Sequence, residues 1–228
     1  MIAVPEVRDN VLTLDLLGAP AFQLAVHGDP APQGSKDASV RNGRAFLFEA
    51  SKRVTPWRRA VRDAVIEAVD VDWQPLDGPL VVDMIVTLPR PKSLPKTLRR
   101  VPSPVPDLSK LLRATEDALV ERPKVPCPTC KVKVGVTYEG DGLWKARPHA
   151  QKRVPCPVSG TVFPAPPRLA PRLKPAALHD DARIVSFRRL DKVYADDTFD
   201  SDALEVPGVV FRAWDYPAAL LGKMGAVA

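Results

Sequence analysis

Proline is concentrated in the middle of this 228-residue chain, and this limits where regular structure can form. Of the 26 prolines, 14 fall between Pro102 and Pro175. Proline breaks helices and lacks the backbone N–H that a central strand needs. We therefore expect an irregular insertion at residues 120–177, between the two parts of a more regular domain at residues 21–119 and 178–216. Residues 1–20 are expected to be an N-terminal extension and residues 217–228 a C-terminal tail.

The composition excludes several classes of protein. Apolar residues make up 45% of the chain, which is enough for a core. The net charge of +6 favours polyanionic partners over basic ones. We expect no membrane association because no run approaches the roughly 20 apolar residues of a membrane span. Three cysteines and no signal-peptide pattern argue against a disulfide framework, so we expect a soluble, cytoplasmic protein.

Hydrophobic periodicity predicts a mixed α+β fold. Apolar residues from Trp57 to Ala68 recur at helical spacing, with Thr55 as the expected N-cap, Pro56 in the first turn and Arg58, Arg59 and Arg62 off the apolar face. Alternating or apolar runs predict strands at 22–26, 80–88, 183–193 and 209–214, and a weaker one at 11–16. The order β-α-β-α-insertion-β-β indicates a small mixed sheet with two principal helices.

A second helix, residues 106–119, carries the candidate chemistry. Its apolar side chains share one face, and the polar ones share the opposite face, namely Ser109, Lys110, Arg113, Glu116 and Asp117. Asp107 lies at the helix start, where a carboxylate can cap free N–H groups. Taken alone, this pattern is typical of a solvated helix face.

A second acidic pair, Asp180-Asp181, precedes the strand predicted at 183–193. Carboxylates from separate segments with basic residues beside them are what Mg²⁺-dependent phosphodiester hydrolysis requires. An ordinary polar turn before a strand would show the same pair.

Several stretches, in this order, resemble the RusA family of Holliday junction resolvases, which is common among phage-encoded proteins. They are Pro30-Ala31-Pro32-Gln33-Gly34-Ser35-Lys36, Ser51-Lys52 to Trp57-Arg58, Leu88-Pro89-Arg90-Pro91-Lys92-Ser93, Pro106 to Arg113 with Asp117-Ala118-Leu119, and Asp180 to Val185 with Lys192. The resemblance covers about residues 22–118 and 178–214. It implies a crossover junction endodeoxyribonuclease, acting in the host cytoplasm if the protein is phage-encoded.

The resemblance also implies site residues. The family's catalytic carboxylates fall on Asp107 and Asp181, its basic position falls on Arg113, and Asp117 matches the acidic residue of its Asp-Ala-Leu segment. Asp107, Asp117 and Asp181 are therefore the expected Mg²⁺ ligands. Ser109 stands where the family has a second Asp, so a charge and a ligand are missing there. The chain is thus expected either to be an active nuclease or to bind junctions with weakened catalysis.

The family implies a homodimer in which each subunit nicks one of two opposed strands of a four-way DNA junction. Basic side chains supply most of the affinity for such a substrate, because phosphate contacts dominate it. The expected DNA-binding residues are Lys36, Arg41, Arg44, Lys52, Arg53, Lys110 and Lys192.

The insertion contains all three cysteines, in Cys127-Pro128-Thr129-Cys130 and Cys156-Pro157-Val158-Ser159. These segments resemble the paired knuckles of a zinc ribbon, with Ser159 in place of a fourth cysteine. His149 can complete a Cys₃His site for structural Zn²⁺. The alternatives are a degenerate ribbon without metal, and an adaptor in which the insertion itself binds nucleic acid.

Overall fold

The computed structural model describes residues 17–34, 36–41, 44–49, 51–95, 97, 101–103, 106–151, 154–164 and 173–218. Its elements in chain order are β1 (Phe22–His27), β2 (Lys36–Arg41), β3 (Arg44–Glu49), α1 (Val54–Ala68), β4 (Leu80–Leu88), α2 (Leu108–Leu119), β5 (Lys124–Pro126), β6 (Lys133–Gly140), β7 (Leu143–Ala146), β8 (Ala150–Gln151), β9 (Val154–Pro155), β10 (Val162–Pro164), a 3-10 turn (Asp181–Arg183), β11 (Ile184–Tyr194) and β12 (Gly208–Asp215). The mixed α+β class is confirmed. The strand predicted at 11–16 lies outside the described residues.

The central sheet has the strand order β1-β12-β4-β11. β12 runs antiparallel to both of its neighbours, whereas β11 is parallel to β4. Both helices pack on one face of this sheet, against Leu80, Val82, Met84 and Val86 of β4. The four strands predicted within the two halves are therefore confirmed as one sheet.

The apolar face of α1 follows the predicted spacing, with Trp57, Val61 and Val65 buried. The predicted N-cap is wrong, because Arg53 occupies that position without a side-chain cap and Thr55 is already helical. The helix begins earlier because Val54 is completely buried in the core. Pro56 still falls in the first turn, where a missing N–H costs little.

Arg62 is buried, although the sequence placed it outside the apolar face. Its guanidinium donates to the carbonyl of Lys174 at 2.8 Å and to that of Pro175 at 3.4 Å. Burial lowers the pKa of Arg62 to about 10. The contact fixes the end of the insertion against α1.

The second face of β4, the central strand next to β11 and β12, is also buried. Asp83 on β4 is fully buried and forms ion pairs with Arg188 and Arg212. These two arginines, from the neighbouring strands β11 and β12, neutralise the buried carboxylate. Arg212 also forms an ion pair with Asp202 at 2.5 Å.

The insertion forms a second four-stranded sheet of order β10-β7-β6-β5 with its own apolar cluster. Side chains on β6 alternate between buried positions and positions that are exposed or half-buried. Tyr138 and Trp144 pack with ring centroids 5.1 Å apart. The segment returns to the main domain where the N–H groups of Ala177 and Leu178 donate to the carbonyl of Leu119, at the end of α2.

No helix in the described parts of the chain has the length and apolar content that a bilayer crossing requires.

Candidate functional site

α2 separates the predicted catalytic side chains into two places. Asp107 precedes its first turn and Asp117 lies in its last, ten residues later. At 1.5 Å per residue, that separation is about 15 Å along the helix axis. Asp107 and Asp117 of one chain therefore cannot ligate the same metal ion.

Asp117 belongs to an acidic cluster, which we define as Glu116, Asp117, Asp180 and Asp181. It forms where the 3-10 turn packs against the last turns of α2. The pKa of Glu116 is raised to about 7, first by burial and then by the charges of Asp181 and Asp117. The pKa of Asp181 is raised as well, by burial, by a hydrogen bond to Asp180 and by the charges of Asp180 and Asp117. These carboxylates thus lie close enough to repel one another.

Basic side chains surround the acidic cluster. Arg58 of α1 forms an ion pair with Asp117. Arg113, one turn before Glu116, opposes the rise in the pKa of that carboxyl. Arg122 donates to the carbonyl of His179 at 2.9 Å and so holds the start of the Asp180-Asp181 turn beside α2.

Asp107 lies instead in a cleft of about 590 Å³ at the other end of α2. Three of the stretches that carry the family resemblance meet around this cleft, through Pro30 and Pro32, through Leu88, Pro89 and Pro91, and through Pro106, Asp107 and Lys110. Asp107 makes no capping hydrogen bond with its side chain but pairs with Lys110 at 3.4 Å. Ser109 is exposed in the same first turn. The carboxylate that the family has at this position is therefore missing from the Asp107 end of the helix.

Several predicted DNA-binding residues gather around the cleft of Asp107. Arg53 and Lys110 line it, and the ammonium of Lys192 donates to the carbonyl of Pro106 at 3.0 Å. Lys52 is exposed just before α1. Lys36, Arg41 and Arg44 belong to the β2–β3 hairpin, and their side chains lie outside the part that the structure describes.

The insertion brings Cys127, Cys130, His149 and Cys156 together, with one ligand atom from each within 4.8 Å of the others. The Sγ atoms of Cys127 and Cys156 are 3.6 Å apart. An edge of a ZnS tetrahedron with 2.3 Å bonds is about 3.8 Å long, so this spacing fits a tetrahedral ion. These four side chains can hold a metal such as zinc.

The protonation chemistry of this group suits a metal centre. Burial raises the pKa of the Cys127 thiol, but hydrogen bonds, first that from the N–H of Cys130, which donates to its Sγ at 3.4 Å, outweigh burial and lower the pKa to about 6. His149 Nδ1 lies 2.9 Å from the carbonyl of Arg147, which orients the ring. Nε2 is left buried without a hydrogen-bond partner, as a ligand nitrogen would be.

Ser159, which stands at the expected fourth cysteine position, has a different contact. Its Oγ accepts a hydrogen bond from the backbone N–H of His149 at 2.8 Å. Ser159 therefore holds the backbone of the histidine that takes the fourth position.

Glu116 is the member of the acidic cluster that the sequence did not single out as a candidate site residue. The helical pattern placed it on the polar face of α2, beside Asp117, without assigning it a role. Its proximity to Asp181 depends on how the chain returns after 60 residues, from 120 to 179, which helical periodicity does not encode. The adjacency of Glu116 and Asp117 was the available signal.

Comparison with protein-family models and with curated proteins found no significant match to this chain. The resemblance to RusA-type resolvases rests on the sequence motifs alone.

Proposed function

We propose that this protein is a Mg²⁺-dependent endonuclease that nicks branched DNA, with four-way junctions as the preferred substrate. The observation that carries the proposal is the packing of the 3-10 turn of Asp181 against the last turns of α2, which brings acidic residues of two segments together so that the charges of Asp181 and Asp117 act on Glu116. A divalent cation relieves such repulsion, and carboxylate oxygens are the ligands that Mg²⁺ prefers.

In this proposal Glu116, Asp117 and Asp181 of the acidic cluster would hold the ion. A bound Mg²⁺ would supply an activated water and neutralise charge on the scissile phosphate. Arg113 then offers a cation to a phosphate oxygen beside the cluster.

A junction substrate is supported by the motif order and by basic side chains at both ends of α2. Arg53, Lys110 and Lys192 lie near Asp107, whereas Arg58 and Arg113 lie near the acidic cluster. Two opposed nicks need two active sites, so we propose a homodimer.

We also propose that Zn²⁺ occupies the site of Cys127, Cys130, His149 and Cys156 with a structural role. Four protein ligands complete a tetrahedron and leave no open position for substrate. The ion would hold together the two knuckles of an insertion whose apolar cluster is small.

The nuclease is tested by Asp181→Asn, with Asp141→Asn as the matched control. Asp141 is an exposed carboxylate at a positive φ of 50°, a conformation that asparagine also adopts, in the turn between β6 and β7. We expect Asp181→Asn to slow nicking by about 100-fold or more, equivalent to about 2.7 kcal/mol of barrier, without loss of junction binding. The control should cleave like the wild type. Equal cleavage by both variants would remove Asp181 from the mechanism.

A second candidate is a junction-binding protein without effective catalysis. It is favoured by the isolation of Asp107, which lies about 15 Å from Asp117 along α2 and beside the neutral Ser109. This candidate predicts tight binding without nicks, and nicking that appears in Ser109→Asp. A wild-type protein that nicks would exclude it.

A further inference from the structure

The sheet of the insertion has an outer face that the proposed nuclease chemistry does not use. On β6, Val134, Val136 and Tyr138 are buried in the apolar cluster of the insertion. The alternate positions are Lys133, Gly135, Thr137 and Glu139, which are exposed or half-buried. Because successive side chains of a strand point to opposite faces, these four share the outer face.

Four cations lie on this outer face, which we call the basic face and define as Lys124, Lys133, Lys145 and Arg147. Lys124 of β5 lies opposite Gly135, and Lys145 of β7 lies opposite Thr137. Arg147 donates its N–H to the carbonyl of Gly135. A Cβ at Gly135 would meet Cδ of Arg147 at 3.3 Å, so the arginine side chain lies directly over the sheet at this point.

The charges on the basic face are not neutralised by the described residues. All four cations are exposed, and none has an ion pair with a carboxylate in the described parts of the chain. Of the nearby acidic residues, Glu139 shares the outer face near the end of β6 and Asp141 is in the β6–β7 turn, so both lie at the opposite end of β6 from Lys133. The cations therefore form a continuous positive surface over the middle of the sheet and over its end away from the β6–β7 turn.

The shape and chemistry of the face select the ligand. Cations in successive rows along β6 are about 6.8 Å apart, and neighbouring strands are about 4.8 Å apart, so the charges are spread over an extended surface. Small residues, Gly135 and Thr137, lie between them. The aromatic rings of Tyr138 and Trp144 are buried on the other side of the sheet. The face therefore suits the phosphates of a polyanion rather than stacked bases.

We propose that the basic face binds the phosphate backbone of nucleic acid, as a contact surface separate from the acidic cluster. The insertion leaves and rejoins the main domain at the end of α2, where the carbonyl of Leu119 accepts hydrogen bonds from the N–H groups of Ala177 and Leu178. Such a face would add sequence-independent affinity for a DNA arm near the acidic cluster.

The test is the salt dependence of binding by the double variant Lys133→Gln and Lys145→Gln. The control is Lys131→Gln, an exposed lysine that follows Cys130 and precedes the start of β6, outside the outer sheet face. Binding of a fluorescent 30-base-pair duplex would be measured by anisotropy without Mg²⁺, so that cleavage does not enter, and zinc content would confirm that each variant retains its insertion fold.

Each phosphate contact contributes about 0.9 to the slope of log K against log salt. We expect the double variant to lose about 1.8 from that slope and to bind duplex about tenfold or more weakly at 0.1 M salt, with the control unchanged. A double variant with the wild-type slope and wild-type zinc content would overturn the proposal. Because the readout is binding, it is independent of whether the acidic cluster cleaves DNA.

Discussion

Glu116→Gln tests the electrostatics of the acidic cluster directly. The pKa of Glu116 is raised from 4.5 to about 7, by burial first and then by Asp181 and Asp117. A carboxyl with a raised pKa binds its proton more tightly in the folded state. Its contribution to stability is therefore fully present below pH 4.5 and is lost as the pH rises toward 7.

The size of this loss follows from the two pKa values. The difference corresponds to at most about 3.4 kcal/mol at 1.36 kcal/mol per pKa unit. Because Glu116 is only partly buried, solvent screening reduces the expected effect to about 1–2 kcal/mol. Glutamine is neutral at every pH, so the variant should lack this part of the pH dependence and be more stable than the wild type at pH 8 by the same amount.

Urea denaturation at pH 5, 6, 7 and 8 without Mg²⁺ measures the effect as the difference between the wild type and the variant. Glu139→Gln is the matched control, since Glu139 is an exposed glutamate on β6. The control should follow the wild type at every pH. If Glu116→Gln lost as much stability as the wild type between pH 5 and 8, the cluster would not have the electrostatics described here.

Three further predictions concern metal binding and the core. Adding Mg²⁺ at ten times its Kd should raise the free energy of unfolding by about 1.4 kcal/mol in the wild type at pH 8, and by much less in Asp181→Asn, as calorimetry can show. Cys156→Ser should lower bound zinc from about one ion per chain to near zero by elemental analysis, because it removes one of four ligands. Thr115→Val should cost about 1–3 kcal/mol in urea denaturation, because it leaves the buried Trp57 N–H without its acceptor at 3.2 Å, whereas Thr115→Ser keeps that acceptor.

Hydrophobic periodicity was sufficient to predict two helices and four strands of the main domain. Helical spacing placed α1 and α2, and apolar runs placed β1, β4, β11 and β12, because each of these buries a face whose period is visible in the sequence. Hydrophobic periodicity did not predict the β2–β3 hairpin. Its strands flank Asn42-Gly43, a dipeptide that favours two-residue hairpin turns and that could have indicated it.

One part of the arrangement of the candidate site follows from helix geometry, and the other depends on tertiary contacts. The separation of Asp107 from Asp117 follows from the helix rise alone, so the sequence already contained it, although the family resemblance groups the two residues in one site. The approach of Asp181 to Glu116 depends on the closure of the insertion against α2. Arg122 and Arg62 make that closure through backbone carbonyls, which no side-chain pattern encodes.

The grouping of the four candidate metal ligands was predictable because these residue types are chemically distinctive. Cys127 and Cys130 are close in sequence, and Cys156 and His149 supply the remaining ligand types that Zn²⁺ accepts. The hydrogen bond from His149 N–H to Ser159 was not predictable, because a serine at a ligand position gives no indication of its partner.

The most direct test of the proposed nuclease is cleavage of a four-way DNA junction labelled on two opposed strands, with linear duplex as competitor and with or without Mg²⁺. Our account predicts symmetric paired nicks in the junction that require Mg²⁺ and persist in the presence of excess duplex. Tight junction binding without nicks at any Mg²⁺ concentration would contradict it.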